Sequence, residues 1–292
     1  MAKFLITGAK GQVGHCLTEQ LKGKADILAV DRDELDITDR DAVFNVVKTF
    51  RPDVIINAAA HTAVDRAESE VELSEAINVK GPQYLSEAAS EIDAVILHIS
   101  TDYVFEGTGT GEYKEDDQTN PQGVYGRTKL EGEIAVQQAN PRSIILRTAW
   151  VFGEHGHNFV KTMLRLAKER DSLDIVGDQI GGPTYASNVA TTLIEIANQI
   201  LVDKKGNFGI YHYTGKPYVS WYEFAKSIFA EAELQNILEK SPLVNSIATS
   251  DYPTPAKRPA NSRLDLTKIK QTFGIEPSDW QKALKNIKAY AS

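Results

Sequence analysis

Hydrophobic positions along the chain fall into short, continuous runs separated by amphipathic stretches. The runs are "KFLITG" 3–8, "DILAVD" 26–31, "DVIINAAA" 53–60, "AVILHIST" 94–101 and "SIILRTAW" 143–150, each bounded by turn residues, with helical spacing between them. Such an alternation predicts repeated βαβ units. The runs are apolar throughout rather than at every second residue, so each strand is expected to be covered on both faces, the environment of a parallel sheet. Residues 1–150 therefore read as α/β, a doubly wound, Rossmann-like parallel sheet. Beyond Trp150 the texture changes. Helical patterns at 157–170, 185–202 and 219–235 alternate with short strand candidates and with turns such as "GDQIGGPT" 177–184 and "YPTPAKRP" 252–259. These predict a smaller, mixed α/β lobe over 151–292, with the segment at about 185–202 returning to the first domain. No repeat and no low-complexity stretch interrupts the pattern.

Composition narrows the function classes. A chain of 292 residues suits one large α/β unit or two intimate lobes. Hydrophobic content of 42% and charged content of 25% are ordinary for a globular protein, and no run of about 18 apolar residues is present to cross a membrane. The first residues, with glycines at 8, 11 and 14, read as a strand and turn rather than a leader. One cysteine, Cys16, excludes an internal disulfide and suits the reducing cytoplasm. A net charge of −8 with no Lys/Arg cluster argues against nucleic acid, while leaving room for an anionic small molecule in a local cationic pocket.

The loop "ITGAKGQVG" places Gly8, Gly11 and Gly14 between a strand and a helix. Glycines there permit a tight turn and close approach of a pyrophosphate, and the helix start offers N–H groups to the anion. Three glycines can also be a plain turn, but Asp31 closes the second strand 17 residues after Gly14, where a carboxylate would accept from ribose hydroxyls. Arg32 beside it would grip a 2′-phosphate, so the pair leaves both NADH and NADPH open. Further on, Tyr125 and Lys129 stand four apart in a helical stretch and so share a face. An ammonium near a phenol lowers its pKa from about 10, which would let Tyr125 act as a general acid. Upstream, Ser100 and Thr101 end an apolar strand, at the carboxyl edge where ligands bind in such sheets.

Glycine loop, strand-end hydroxyl and Tyr-x-x-x-Lys together resemble the extended short-chain dehydrogenase/reductase superfamily. Within it, "NAAAHTAVDRAE" 57–68, "STDYVFEGTG" 100–109, "NPQGVYGRTKLEGE" 120–133, "LRTAWVFG" 146–153, "NFVKTMLRLA" 158–167, "DQIGGPT" 178–184 and "RPANSRL" 258–264 resemble the family of dTDP-4-dehydrorhamnose reductases, from end to end. The resemblance implies hydride transfer from NADPH or NADH to C4 of dTDP-4-dehydro-L-rhamnose, with Thr101, Tyr125 and Lys129 on the catalytic positions. It puts Gln12 and Val13 at the pyrophosphate, Asp36 and Ile37 near the adenine, and Ala58, Ala59, Ala60 and Thr62 along the cofactor. Val64, Asp102, Tyr103, Trp150 and Asn158 would face the sugar nucleotide, with Arg258 and Arg263 as diphosphate partners, and the second lobe would be the substrate lobe. His61 and His98, in or beside apolar strands, read as structural. A 4-epimerase of the same superfamily, or a non-catalytic regulatory subunit related to that of methionine adenosyltransferase, stays open on the residues. The Asp-Glu pair of the 4,6-dehydratases is absent after Thr101. Some family members dimerise around magnesium held by carboxylates. The matching positions here are Cys16, Ser187 and Asn188, so no metal is expected and a homodimer is left open.

Overall fold

The computed structural model describes residues 1–203 and 206–291; positions 204, 205 and 292, all within the expected second lobe, lie outside it. A six-stranded parallel sheet forms the centre, from β1 (Lys3–Thr7), β2 (Asp26–Val30), β3 (Val54–Asn57), β4 (Val95–Thr101), β5 (Ser143–Thr148) and β6 (Gly209–His212). Their order is β6-β5-β4-β3-β1-β2, so the direction of winding reverses beside β1 and opens a crevice at the carboxyl ends of the strands. All five apolar runs form strands, somewhat shorter than the runs themselves. The fold is thus the expected α/β doubly wound class.

Helices α1 (Gln12–Leu21), α2 (Arg40–Phe50), α3 (Gly81–Glu91) and α4 (Val124–Ala139) connect the strands. Successive side chains of a strand point to opposite faces, and both faces here are apolar. Leu5, Ile55, Ile96 and Ile145 pack with Val43 and Val47 of α2, Leu85 of α3 and Val136 of α4. Ile6, Ile56, Leu97 and Leu146 pack on the other side with Val13, Leu17 and Leu21 of α1. The continuous apolarity of the runs reflects this double covering.

Three further helices follow: α5 (Phe159–Glu169), α6 (Ala186–Asp203) and α7 (Trp221–Leu234). The last is started by a capping box, Ser220 accepting from Glu223 N at 3.1 Å while Glu223 accepts from Ser220 N at 2.7 Å. With a parallel pair of strands, Ser172–Val176 and Leu243–Ile247, and the C-terminal helices they enclose a second core around Phe152, Met163, Phe224, Phe229 and Trp280. Helix α6 packs instead on α1, where Val189, Leu193, Ile196 and Ile200 complete the first core. Strand β6 likewise joins the large sheet from beyond residue 150, pairing with β5 from Gly209↔Ile144 to His212↔Arg147. Among the described residues no helix is long and apolar enough to cross a membrane.

Candidate active site

The glycine loop leaves β1 through Gly8, at φ 71°, and enters α1 at Gly11. A side chain at Gly14 would place Cβ 2.0 Å from the Gly8 carbonyl oxygen, so only glycine allows the loop to fold this closely onto its helix. The first turn of α1 has no side-chain cap and no acidic residue, and Gly11, Gln12 and Val13 line the crevice. Unpaired N–H groups without a nearby carboxylate fit a dinucleotide's pyrophosphate. Asp31 holds the loop in place: its carboxylate accepts from Lys10 N at 2.9 Å and from Arg32 N at 2.8 Å. Lys10, which sequence reasoning passed over, places Nζ 3.1 Å from Asp33 and 3.5 Å from Glu34. Arg32 and Asp36 are exposed beside it. Asp36 accepts from Thr38 N and Oγ1, and these bonds hold its carboxyl below the usual range. The Ile37 side chain is buried in the core against α3.

The crevice continues as a cleft of about 1210 Å³ between the sheet and the second lobe. Its walls include Ala58, Ala59, Ala60, Thr62 and Val64 after β3, Thr101, Asp102 and Tyr103 after β4, Tyr125 and Lys129 on α4, and Trp150 and Arg258. Gly8, Gly14, Asp31, Arg32, Asp36, Ile37, Asn158 and Arg263 stand outside the lining. Asn158 caps α5, accepting from Lys161 N at 3.2 Å, and donates to Gln12 Oε1 at 3.1 Å, so it ties the second lobe to the glycine loop. Arg263 turns back to Asn261 Oδ1 at 2.8 Å. Both side chains have partners within the protein and lie outside the lining of the cleft.

At the chemical end, β4 runs into a short turn, Asp102–Val104, which Thr101 starts by accepting from Tyr103 N at 3.2 Å. Helix α4 approaches that turn because Gly126 carries no side chain: a Cβ there would lie 2.2 Å from the Tyr103 carbonyl oxygen. Tyr125 is thereby set edge-on to Tyr103, ring centroids 5.3 Å apart at 74°. Lys129, 2% exposed, donates to the Ile99 carbonyl at 2.7 Å. Burial pushes its ammonium down to about 8 against the opposing pull of Glu133. The Tyr125 phenol moves the other way from the sequence expectation: burial raises it above its ordinary value, and Asp102 and Tyr103 add to the rise while Thr101 opposes it. The ammonium is spent on a backbone carbonyl rather than on the phenol. Burial likewise lifts Asp102 to about 6, against hydrogen bonds from Ser262 and Thr101. Ser100, the other strand-end hydroxyl, also lines the cleft and donates to buried Glu133 at 2.5 Å.

On the far wall, Trp150 has φ 52° and stacks on Trp221 at 3.5 Å, with Phe159 4.6 Å beyond. Trp221 and Phe159 were not read from the sequence, since aromatic residues on amphipathic helices look like core. Arg258 reaches the cleft but is paired, donating to Asp65 Oδ2 at 2.6 Å and to Tyr103 Oη at 3.2 Å. No local signal could have joined Arg258 to a carboxylate 193 residues away.

A family model described as RmlD substrate binding domain matches residues 2–291. The chain is 59% identical over 293 residues to the dTDP-4-dehydrorhamnose reductase of Aggregatibacter actinomycetemcomitans, covering 100% of both. It is 41% identical to that of Escherichia coli (strain K12), covering 97% of this chain and 96% of the relative. Among solved structures it is similar to the dTDP-4-dehydrorhamnose reductase from Bacillus anthracis str. Ames in complex with NADP, at 35% identity and a TM-score of 0.91 over 98% of each chain.

Proposed function

The chain belongs to the RmlD substrate binding domain family, and we propose that its cleft carries out the NAD(P)H-dependent reduction of dTDP-4-dehydrorhamnose at C4, with Tyr125 protonating the oxygen. The observation that carries the residue roles is the meeting of Tyr125, Thr101 and Lys129 at the carboxyl end of β4, at one end of a cleft that begins at the glycine loop. A nicotinamide cofactor, when bound, supplies the hydride. Gly11, Gln12 and Val13 would take its pyrophosphate at the start of α1, and Ala58 to Ala60 keep the wall beside it small.

Tyr125 enters the reaction as a firmly protonated phenol, as reduction of a ketone requires, because hydride arrival makes the oxygen basic enough to draw the proton. Thr101, at the end of β4 on the same cleft wall, polarises the reacting oxygen beside Tyr125. Lys129 lies one helical turn further along and exchanges a proton near neutral pH. Trp150 and Trp221 offer an apolar platform, and Arg258 a guanidinium that an incoming diphosphate would share with Asp65. A water-borne nucleotide sugar and a single, unpaired cysteine support a cytoplasmic place of action. Mixing the protein with dTDP-4-dehydrorhamnose and NADPH should consume one nicotinamide per dTDP-rhamnose formed. Turnover without reductant would point to an epimerase instead, and no oxidation at all would overturn the reading.

A further inference from the structure

A buried polar row crosses three neighbouring strands of the sheet. Thr7, Asn57 and His98 are register partners on β1, β3 and β4, and all three are buried. The Asn57 carbonyl oxygen accepts from Thr7 Oγ1 at 2.7 Å and from Ala59 N at 3.1 Å. Both contacts are donors, so the amide orientation is fixed and Nδ2 faces His98 Nδ1, 3.0 Å away. The His98 Nδ1 must then accept. In a neutral ring the proton is left on Nε2, and burial together with the Lys129 charge keeps the ring neutral. That Nε2 lies 3.4 Å from Lys129 Nζ. Two donors face each other there while Lys129 is an ammonium, whereas an amine lone pair receives the Nε2–H.

Building on the role given to Lys129 above, we propose that His98 is a positioning residue for the reduction: held in its Nε2–H form by Asn57, it favours the uncharged amine of Lys129 and so sets the pH range over which that side chain exchanges its proton. Other charges near Lys129 are few. Glu133, one turn further along α4, opposes the effect, but it is tied to Arg147 of β5 at 2.7 Å. Asp102 and Tyr103, from the turn after β4, face Tyr125. His98 is the group among the described residues whose donor direction is set by the sheet itself.

Nitrogen-15 spectra of the unaltered protein read the His98 tautomer, and carbon-13 at the lysine ε position reads Lys129, assigned by its loss in Lys129→Met. The expected result is the Nε2–H tautomer. Asn57→Asp keeps the bonds to Thr7 and Ala59 but turns a donor into an acceptor, which should move the proton to Nδ1 and give Lys129 a lone pair to face. Its titration and the basic limb of kcat/KM should both rise by about one pH unit or more. The new carboxylate also acts through space, so the same change is made in a His98→Gln background, where the rise should be at least halved. An Nδ1–H tautomer in the unaltered protein, or an Asn57→Asp rise of equal size with and without His98, would overturn the proposal. Lys129→Met separates the two levels. If it turns over normally, the role of Lys129 itself fails; if it loses about 10²-fold while the histidine tests are negative, only the role of His98 does.

Discussion

At Tyr125 the question is what a single oxygen contributes. Tyr125→Phe keeps the ring against Tyr103 and removes the proton donor, so kcat should fall by roughly 10²–10⁴ with little change in melting temperature. Near-normal turnover would mean that water or Thr101 supplies the proton. The basic limb of the pH profile, expected from sequence to be the phenol's, should instead follow Lys129 near 8, since burial lowers the ammonium and raises the phenol; a limb nearer 10 would return it to Tyr125. Lys129 also carries a stability consequence. Its pKa is lowered on folding from 10.5 to about 8, so between those values the unfolded chain takes up a proton that the native state refuses. The native state therefore loses stability as pH falls through that window, by up to about 3 kcal/mol, and the loss is complete below it. Lys129→Met should accordingly be more stable than the wild type at pH 7 by thermal denaturation, the gap closing towards pH 11. A methionine variant that melts lower at pH 7 would show that the amine contributes more by its contacts than its burial costs.

At the level of strands and helices, much of the site was legible because chemistry and periodicity coincide. The glycine loop follows an apolar strand, and Thr101 ends another. What local pattern could not supply was the partnering of distant side chains. His98 looked structural as an isolated histidine in a strand; its meaning comes from Asn57 in register on the next strand and from Lys129 on α4. Strand β6 is four residues long and begins with Gly209, too little to announce itself, and only its pairing with β5 identifies it. Two tests belong here. Arg147 of β5 and Glu133 of α4, at 2% and 1% exposure, are bonded through both carboxylate oxygens. Arg147→Met would strand a buried carboxylate and should cost about 3–5 kcal/mol in urea unfolding. A loss below ~1 kcal/mol would mean Glu133 takes up a proton or reaches water. At the end of β2, Asp31 spends hydrogen bonds on Lys10 and Arg32 backbone groups, which leaves the Arg32 guanidinium exposed to meet a 2′-phosphate. Arg32→Ala should weaken NADPH selectively and leave NADH nearly unchanged; equal losses would remove Arg32 from that role.

For the molecule as a whole, the covering of the sheet is shared between the two parts of the chain. Without α6, the outer face of α1 loses Val189, Leu193, Ile196 and Ile200, and without β6 the edge of β5 is bare. A fragment ending at residue 150 should therefore lack dispersed amide spectra. A well-folded fragment would show that the first domain stands alone. The contact between α1 and α6 also bears on metal dependence. Cys16 is buried with its thiol raised to about 11, Ser187 accepts from Gln20 at 2.9 Å and Asn188 from Ser278 at 2.9 Å, a set without a carboxylate for a hard cation. Activity should survive EDTA, and loss restored by Mg²⁺ would count against it. Finally, two of the chain's three tryptophans form the stacked pair on the cleft wall, while Trp280 sits in the second core with its N–H on the Pro217 carbonyl. Indoles in face-to-face contact couple their excited states, so the pair is a built-in optical gauge. A nucleotide sugar settling on that wall would alter the emission and the near-ultraviolet exciton signal, letting substrate affinity be followed by light, without cofactor and without turnover.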